Sequence, residues 1–267
     1  GGRGMRRIPR GTSSDDFLAA FKVAYSEAAG AFGAGGVFVE ELLERCRHIE
    51  VQVLASASGE VAHLFERDCS VQLARGSKVV EVCPAVALHP EVRQRLLADA
   101  VRLIAATPDG YVNLCTVEFL VEEPEGPGSI GRHAFIEVNP RLQVEHGVTE
   151  EACGVDLVRA QFRLADGAGL RESLDLADSS SDGAFGLLPP PTSCALEVRV
   201  CLSAPPQGPI SHYREPGGRG IRIDSAMHAG FRPSGQYDPM LALVIGSDRN
   251  MEAALVRTAR AIDGFDI

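Results

Sequence analysis

The chain has 267 residues, with 36 acidic against 26 basic side chains, a formal net charge of −10, 28 glycines, 16 prolines, seven cysteines and no tryptophan. That length suffices for a sizeable core in one large or two modest domains, and the acidic balance argues against an electrostatic nucleic-acid binder. No apolar run reaches the roughly 18–20 residues that a membrane-spanning helix needs, and an odd cysteine count without framework spacing argues against a disulfide scaffold.

Residues 1–11 are rich in glycine and arginine and lack periodicity; with no initiator Met and no signal peptide, the chain is expected to be a piece of a longer protein. Over 15–31 the set Phe17, Leu18, Phe21, Ala24, Tyr25 and Ala28 recurs at three and four, which predicts an amphipathic helix capped by Ser13 or Ser14. After a break at Gly33, Gly35 and Gly36, strands are expected at 37–41, 48–54 and 60–65, the last two joined by a turn at 56–59. Pro90 opens a second helix with Val92, Leu96, Ala100, Leu103 and Ile104 on its buried face. Strands at 114–121 and 134–139 flank a Pro/Gly-rich loop, and 156–165 reads as helix. The stretch 175–193, with its serine run and Pro189-Pro190-Pro191, reads as a linker or surface insertion. Beyond it come strands at 195–202 and 221–224 and a helix at 252–262, with a glycine-rich turn at 217–222 leading into the second strand. The chain is thus an α+β mixture in two parts with a boundary near 180. Cys69, Cys115 and Cys201 lie in apolar or strand-like stretches, where a thiol acts as a small core residue, and a reducing compartment follows.

The most informative stretch is 135–145. In an extended chain its alternation puts Glu137, Asn139, Arg141, Gln143 and Glu145 on one face and Ile136, Val138, Pro140, Leu142 and Val144 on the other. A half-buried strand with a solvated outer face would show the same alternation. The residue types favour a binding site instead, since they are oxygen ligands and forked donors, and Pro140 suggests that the strand turns into a loop there. If 114–121 and 134–139 pair antiparallel, Glu118 and Glu137 project from neighbouring strands onto one side. With Asn139 they would form an all-oxygen site suited to Mg²⁺ or Mn²⁺ and poor for Zn²⁺; separately solvated glutamates are the alternative. Lys78 is an anion contact or a surface lysine, His48 a ribose contact or a structural histidine, and 1–6 the end of a loop able to close over phosphates.

Gly-Gly-Arg-Gly-Met-Arg at 1–6, Arg-His-Ile-Glu-Val-Gln at 47–52, Glu-Arg-Asp-Cys-Ser at 66–70, Lys-Val-Val-Glu at 78–81 and Glu-Val-Asn-Pro-Arg-Leu-Gln-Val-Glu-His at 137–146 occur in the order of one family. The chain resembles the biotin carboxylase component of biotin-dependent carboxylases such as pyruvate or acyl-CoA carboxylase, an ATP-grasp ligase. Glu197-Val-Arg199 and Tyr237-Asp-Pro-Met240 resemble that family's C-terminal subdomain. The resemblance implies an incomplete ATP-grasp domain over 1–178, a linker or insertion over 179–193 and an incomplete C-terminal domain over 194–267, with the family's N-terminal nucleotide-binding-like domain absent.

The resemblance implies a two-step reaction in which ATP and bicarbonate give carboxyphosphate, whose CO₂ carboxylates biotin on a carrier domain. It makes Glu118, Glu137 and Asn139 the metal site. Arg141, Gln143, the backbone of Val144 and Lys78 hold bicarbonate, Glu145 is its general base, and Arg199 stabilises the enolate-like charge on biotin. Gly1, Gly2, Gly4, Glu40, Leu43, His48 and Gln72 fall at nucleotide positions. Biotinyl carrier and carboxyltransferase domains, a homo-oligomer, and a cytoplasmic or mitochondrial-matrix location are implied, with neither nucleic acid nor membrane as partner.

Departures from the family pattern are a longer segment between Gln72 and Lys78 that lacks a His, Glu41 for a Lys, Cys201-Leu-Ser-Ala-Pro205 for an Asn-Ala-Glu-Asp-like run, and Leu243 for a Lys. They support the alternative of a catalytically impaired relative acting as a binding or assembly module. By either reading the chain alone is expected to bind Mg-ATP weakly.

Overall fold

The computed structural model describes residues 4–33, 36–73, 77–124, 126, 130–176, 187–202, 208–233 and 240–267. Gly1, Gly2, most of the 179–193 segment and Tyr237 therefore lie outside the described residues. The chain divides into two compact units, Gly1–Arg45 with Gln72–Ser77, and Cys46–Val71 with Lys78–Ile267.

In the first unit, helix α1 (Ser14–Phe32) starts where Ser13 Oγ accepts a hydrogen bond from the Asp16 N–H at 3.1 Å. It ends at Gly33, whose φ of 75° suits a residue without a Cβ. Its inward face is narrower than the periodicity predicts: Ala24 and Ala28 are buried, whereas Phe17, Leu18, Phe21 and Tyr25 are exposed. The strand expected at 37–41 does not form. That stretch joins no ladder among the described residues, and Phe38 and Val39 are 81% and 72% exposed.

The strands are β1 (Cys46–Ala55), β2 (Val61–Leu73), β3 (Ser77–Cys83), β4 (Asn113–Glu122), β5 (His133–Asn139), β6 (Cys194–Cys201), β7 (Ile221–Ser225) and β8 (Met240–Asp248). They form one eight-stranded sheet in the order β5-β4-β1-β2-β3-β6-β8-β7. β1 and β2 are joined by the expected turn, in which Ser56 N–H donates to Glu60 O at 2.9 Å. β1 is central and buried on both faces, so it carries Ile49, Val51 and Val53 toward one layer of helices and Leu54 toward the other.

On the first face helix α2 (Pro90–Ala105) lays Val92, Leu96, Ala100 and Ile104 against β1 and β4. Leu103 falls at the edge of this stripe and is 36% exposed, and Leu97 and Val101 take the inward places instead. On the other face α4 (Leu157–Ala165) and α5 (Leu170–Ser173) cover Leu54, Leu64 and Leu114. α4 begins at Asp156, whose carboxylate accepts from the Arg159 N–H at 2.8 Å. α3 (His146–Cys153) packs Val148 and Ala152 on Ala195 and Ile245, and α6 (Met251–Asp263) covers β6 and β8.

Gly220 closes the turn into β7 with a φ of 72°, and a Cβ there would fall 2.5 Å from Ser247 O. Cys69 and Cys115 are buried as expected; Cys201 is exposed, because it ends β6 beyond a register shift that breaks the alternation.

Candidate functional site

Antiparallel register builds the site floor. Arg67 of β2 faces Glu50 of β1, Glu50 faces Glu118 of β4, and Glu118 faces Glu137 of β5. Two residues along, Gln52, Thr116 and Asn139 form a parallel row. The period of two puts His48, Glu50 and Gln52 on one face of β1. A bulge beside Glu118 shifts the β4–β5 register, and the pairing resumes beyond it at Phe119 and Phe135.

Arg67 is fully buried and every guanidinium hydrogen is used. Nε donates to Glu50 Oε1 at 2.5 Å, Nη1 to Gln52 Oε1 and Thr149 Oγ1 at 2.8 and 3.0 Å, and Nη2 to Thr116 Oγ1 and Gln143 Oε1 at 3.1 Å each. Burial alone would favour the neutral form, but the Glu50 and Glu145 charges hold the Arg67 pKa above its ordinary value. Glu50, also buried, is kept below the ordinary carboxylate range against its desolvation by Arg67 and Lys78.

Lys78 bridges Glu50 Oε2 at 2.6 Å and Glu145 Oε1 at 2.5 Å, with Glu118 Oε1 at 3.5 Å. Desolvation opposes its charge, yet these carboxylates raise its pKa above the usual lysine value. It is a half-buried ion-pair centre, not a surface lysine. Arg199 of β6 reaches the same carboxylate from the other side, Nη2 to Glu145 Oε2 at 3.1 Å, while its Nε donates to Glu81 Oε1 at 2.8 Å. Glu145 is 2% exposed and precedes α3 without capping it, so its carboxylate is left to Lys78 and Arg199.

The alternation over 137–145 does not persist as one extended face. β5 ends at Asn139, Pro140 supplies no N–H to a ladder, and the chain turns with the Arg141 N–H donating to Asn139 O at 2.9 Å. Glu137 and Arg141 consequently stay exposed while Gln143 and Glu145 fold into the interior, and Val144 is half-buried.

Glu118 and Glu137 are direct cross-strand partners, as expected if their strands pair antiparallel. Asn139 Nδ2 donates to Glu118 Oε1 at 2.8 Å and to Glu137 Oε1 at 3.2 Å. A single small group thus spans both carboxylates, the place that a hard cation would take, and an amide rotation would turn Oδ1 onto it. The residues fit Mg²⁺ or Mn²⁺. Burial pushes the Glu118 carboxyl up, but the His48 hydrogen bond at 2.6 Å and the Lys78 charge bring it down to about 2, so it is an anion at any working pH. His48 is therefore tied to a carboxylate of this site.

Gly4, Glu40, Leu43 and Gln72 belong to the first unit. There Gly4 has φ 78° and donates its N–H to Glu27 Oε2 at 3.3 Å; Glu40 is exposed and Leu43 and Gln72 are half-buried. Sequence reasoning missed Glu50, Arg67, Gln52 and Thr149. For Glu50 and Gln52 the signal was present in Ile49-Glu50-Val51-Gln52-Val53, a strand that is apolar at every second place and polar between, but never Lys, Ser or Thr as a solvated face would be; Arg67 and Thr149 lie outside that stretch.

Residues 1–173 match the family model described as "Carbamoyl-phosphate synthase L chain, ATP binding domain", and residues 197–267 match "Biotin carboxylase C-terminal domain". The chain is 45% identical over 274 residues to pyruvate carboxylase 1 of Caenorhabditis elegans, covering 100% of this chain and 22% of that protein. A structure of Rhizobium etli pyruvate carboxylase with acetyl coenzyme-A superposes with a TM-score of 0.87 at 38% identity, over 100% of this chain and 23% of that one. The biotin carboxylase domain of Hydrogenobacter thermophilus 2-oxoglutarate carboxylase, in complex with MgADP, ADP and bicarbonate, gives a TM-score of 0.84 at 35% identity, over 100% of this chain and 55% of that one.

Proposed function

The chain belongs to the biotin carboxylase family of ATP-grasp ligases, and from that premise we propose that it carries the centre at which bicarbonate is activated by ATP through carboxyphosphate and its CO₂ is passed to biotin. The observation that carries this reading is the clamp on Glu145, a buried carboxylate held between Lys78 at 2.5 Å and Arg199 at 3.1 Å. Donors on both sides fix the direction of the carboxylate, and a general base must be aimed at the proton it takes.

In this reading Arg141, Gln143, the Val144 backbone and Lys78 hold bicarbonate, a planar oxyanion matched by a forked guanidinium. Glu145 takes the bicarbonate hydroxyl proton, the freed oxygen attacks the γ-phosphorus of ATP, and ADP leaves. Glu118, Glu137 and Asn139 hold Mg²⁺ or Mn²⁺, which when bound neutralises charge on the phosphates. Gly1, Gly2, Gly4, Glu40, Leu43, His48 and Gln72 serve the nucleotide, and Arg199 faces the negative charge that develops on the biotin ureido group. The relatives are pyruvate carboxylases of which this chain spans about a fifth, so the biotinyl carrier and the carboxyltransferase are partners expected from the same polypeptide or complex, and the whole enzyme is expected to be a homo-oligomer.

The test is ADP release by a full-length protein containing this chain, with titration calorimetry against Mg-ATP. Release that requires both bicarbonate and biotin is the expected result. Mg-ATP binding without bicarbonate-dependent release overturns it in favour of a binding or assembly module.

A further inference from the structure

Behind Arg199 lies a second pair of carboxyl groups that the reaction above does not use. Glu81 of β3 and Glu197 of β6 are direct antiparallel partners, both with no exposed surface. Directly opposed residues have Cβ atoms about 4.5–5.5 Å apart and share a face. Arg199, two residues beyond Glu197, lies on that face too. Its Nε donates to Glu81 Oε1 at 2.8 Å, but Glu81 Oε2 and both oxygens of Glu197 have no hydrogen-bond partner among the described residues.

Among the described residues the surroundings supply no other cation. Lys78 is committed to Glu50 and Glu145, and every Arg67 hydrogen is taken. Glu145 faces the pair as a further anion. Asp224 of β7 approaches near Gly147 but is held by Nε and Nη2 of Arg222 at 2.8 Å each, and β8 offers only Ile245 opposite Glu197. Of the two buried carboxyls only Glu81 has a cation against it, so Glu197, left without a counter-charge beside a like charge, is the one that burial drives to the neutral form. A hydroxyl on one carboxyl supplies the donor that the orphaned oxygens lack.

We propose that Glu81 is the positioning residue for Arg199, and that Glu197 serves it as a neutral carboxylic acid, the two sharing one proton at neutral pH. The direction of both carboxyls agrees: burial first and then the Glu145 charge push Glu81 up to about 7 against the pull of Arg199, and burial with the charges of Glu81 and Glu145 raises Glu197 well above the ordinary carboxylate range. The role rests on the reading of Glu145 as base and Arg199 as biotin contact. When Glu145 gains the bicarbonate proton it loses its charge toward Arg199. Glu81 keeps its hold on Nε, so the guanidinium stays aimed at biotin while the second step proceeds.

Infrared difference spectra of the full-length protein in D₂O test the shared proton without any turnover. The expected result is a buried carboxylic-acid carbonyl band at neutral pH that Glu197→Gln removes; a spectrum without that band, or one unchanged in Glu197→Gln, overturns the proposal. Kinetics test the positioning role. Glu81→Gln should lower kcat of biotin carboxylation roughly tenfold to a hundredfold, the cost of a hydrogen bond to a charged group, with KM for ATP unchanged. Glu197→Gln should retain most of the rate and move the acid limb of the pH profile to lower pH. Wild-type biotin turnover and pH profile in Glu81→Gln would refute the role. If the wild-type protein shows the carbonyl band but no biotin-dependent ADP release, the functional reading fails and the carboxyl pair stands.

Discussion

Lys78 holds its ammonium 2.5 Å from Oε1 of Glu145, and the same ammonium is 2.6 Å from Oε2 of Glu50. Removing the Glu145 charge therefore does not leave the lysine alone in the interior, since Glu50 still neutralises it. That makes Glu145→Gln a clean probe of chemistry. Bicarbonate-dependent ADP release should fall by about 10²–10⁴, the contribution of a positioned general base, while calorimetry shows Mg-ATP binding retained and the melting temperature stays near wild type. Unchanged release would remove Glu145 as the base.

Arg67 has the opposite character: it holds the floor together and reaches no solvent. Arg67→Met leaves Glu50 with Lys78 alone and strips partners from Gln52, Thr116, Thr149 and Gln143. Breaking a buried ion pair by deleting one partner costs about 3–5 kcal/mol, read as a lowered midpoint in urea unfolding. Arg67→Lys keeps the charge but not the planar fork and should recover only part of it. A loss below about 1 kcal/mol for Arg67→Met would show that the network relaxes around the gap.

The sequence was most readable where one face of an element meets the core. The helix from Pro90 and the strands around Glu118 and Glu137 follow from periodicity, whereas the antiparallel pairing of those strands enters the sequence reading only as a condition. β8 escaped because Leu241-Ala-Leu-Val-Ile245 is buried on both faces and shows no alternation. α3 escaped because its first turn has no side-chain cap. Within the site, residues with a local signature (Glu118, Glu137, Gln143, Glu145) were found, whereas Glu50, Arg67, Glu81 and Glu197 become partners only through strand register, a long-range property that no short window contains. The exposed aromatic rings of α1 are the converse case, since periodicity marks an apolar face without saying what covers it.

His63 is buried, and desolvation pushes its imidazole from an ordinary 6.5 down to about 4. Its Nδ1 accepts the Phe65 N–H at 3.3 Å, which fixes the neutral ring. Between these values the unfolded chain binds the proton and the folded one does not, so stability is fully present above about pH 6.5 and is lost as pH falls toward 4. Glu81 works in the other direction: its raised pKa means the folded state binds more protons from about 4.5 to 7, and its contribution declines as pH rises through that window. Urea unfolding followed against pH should show the acid limb flattened in His63→Gln, and an unaltered limb would assign the acid sensitivity to other groups.

Gly246 of β8 lies under α6, where an added Cβ would collide with Thr258 Oγ1 and meet Ala254 O and Thr258 N at 3.0 Å each. The contacts include helix backbone, so a side-chain rotation alone cannot relieve them. Gly246→Ala should destabilise by about 1–3 kcal/mol, as overpacking does in a filled core. Thr258→Ala removes the closest atom together with its 2.9 Å hydrogen bond to Ala254 O. In the wild-type background that change costs stability. Combined with Gly246→Ala it relieves part of the clash, so the double variant should be more stable than the sum of the single losses predicts. Strict additivity in the double-mutant cycle, measured by denaturation midpoints, would mean that α6 shifts as a body and that the Thr258 hydroxyl is not what the new methyl strikes.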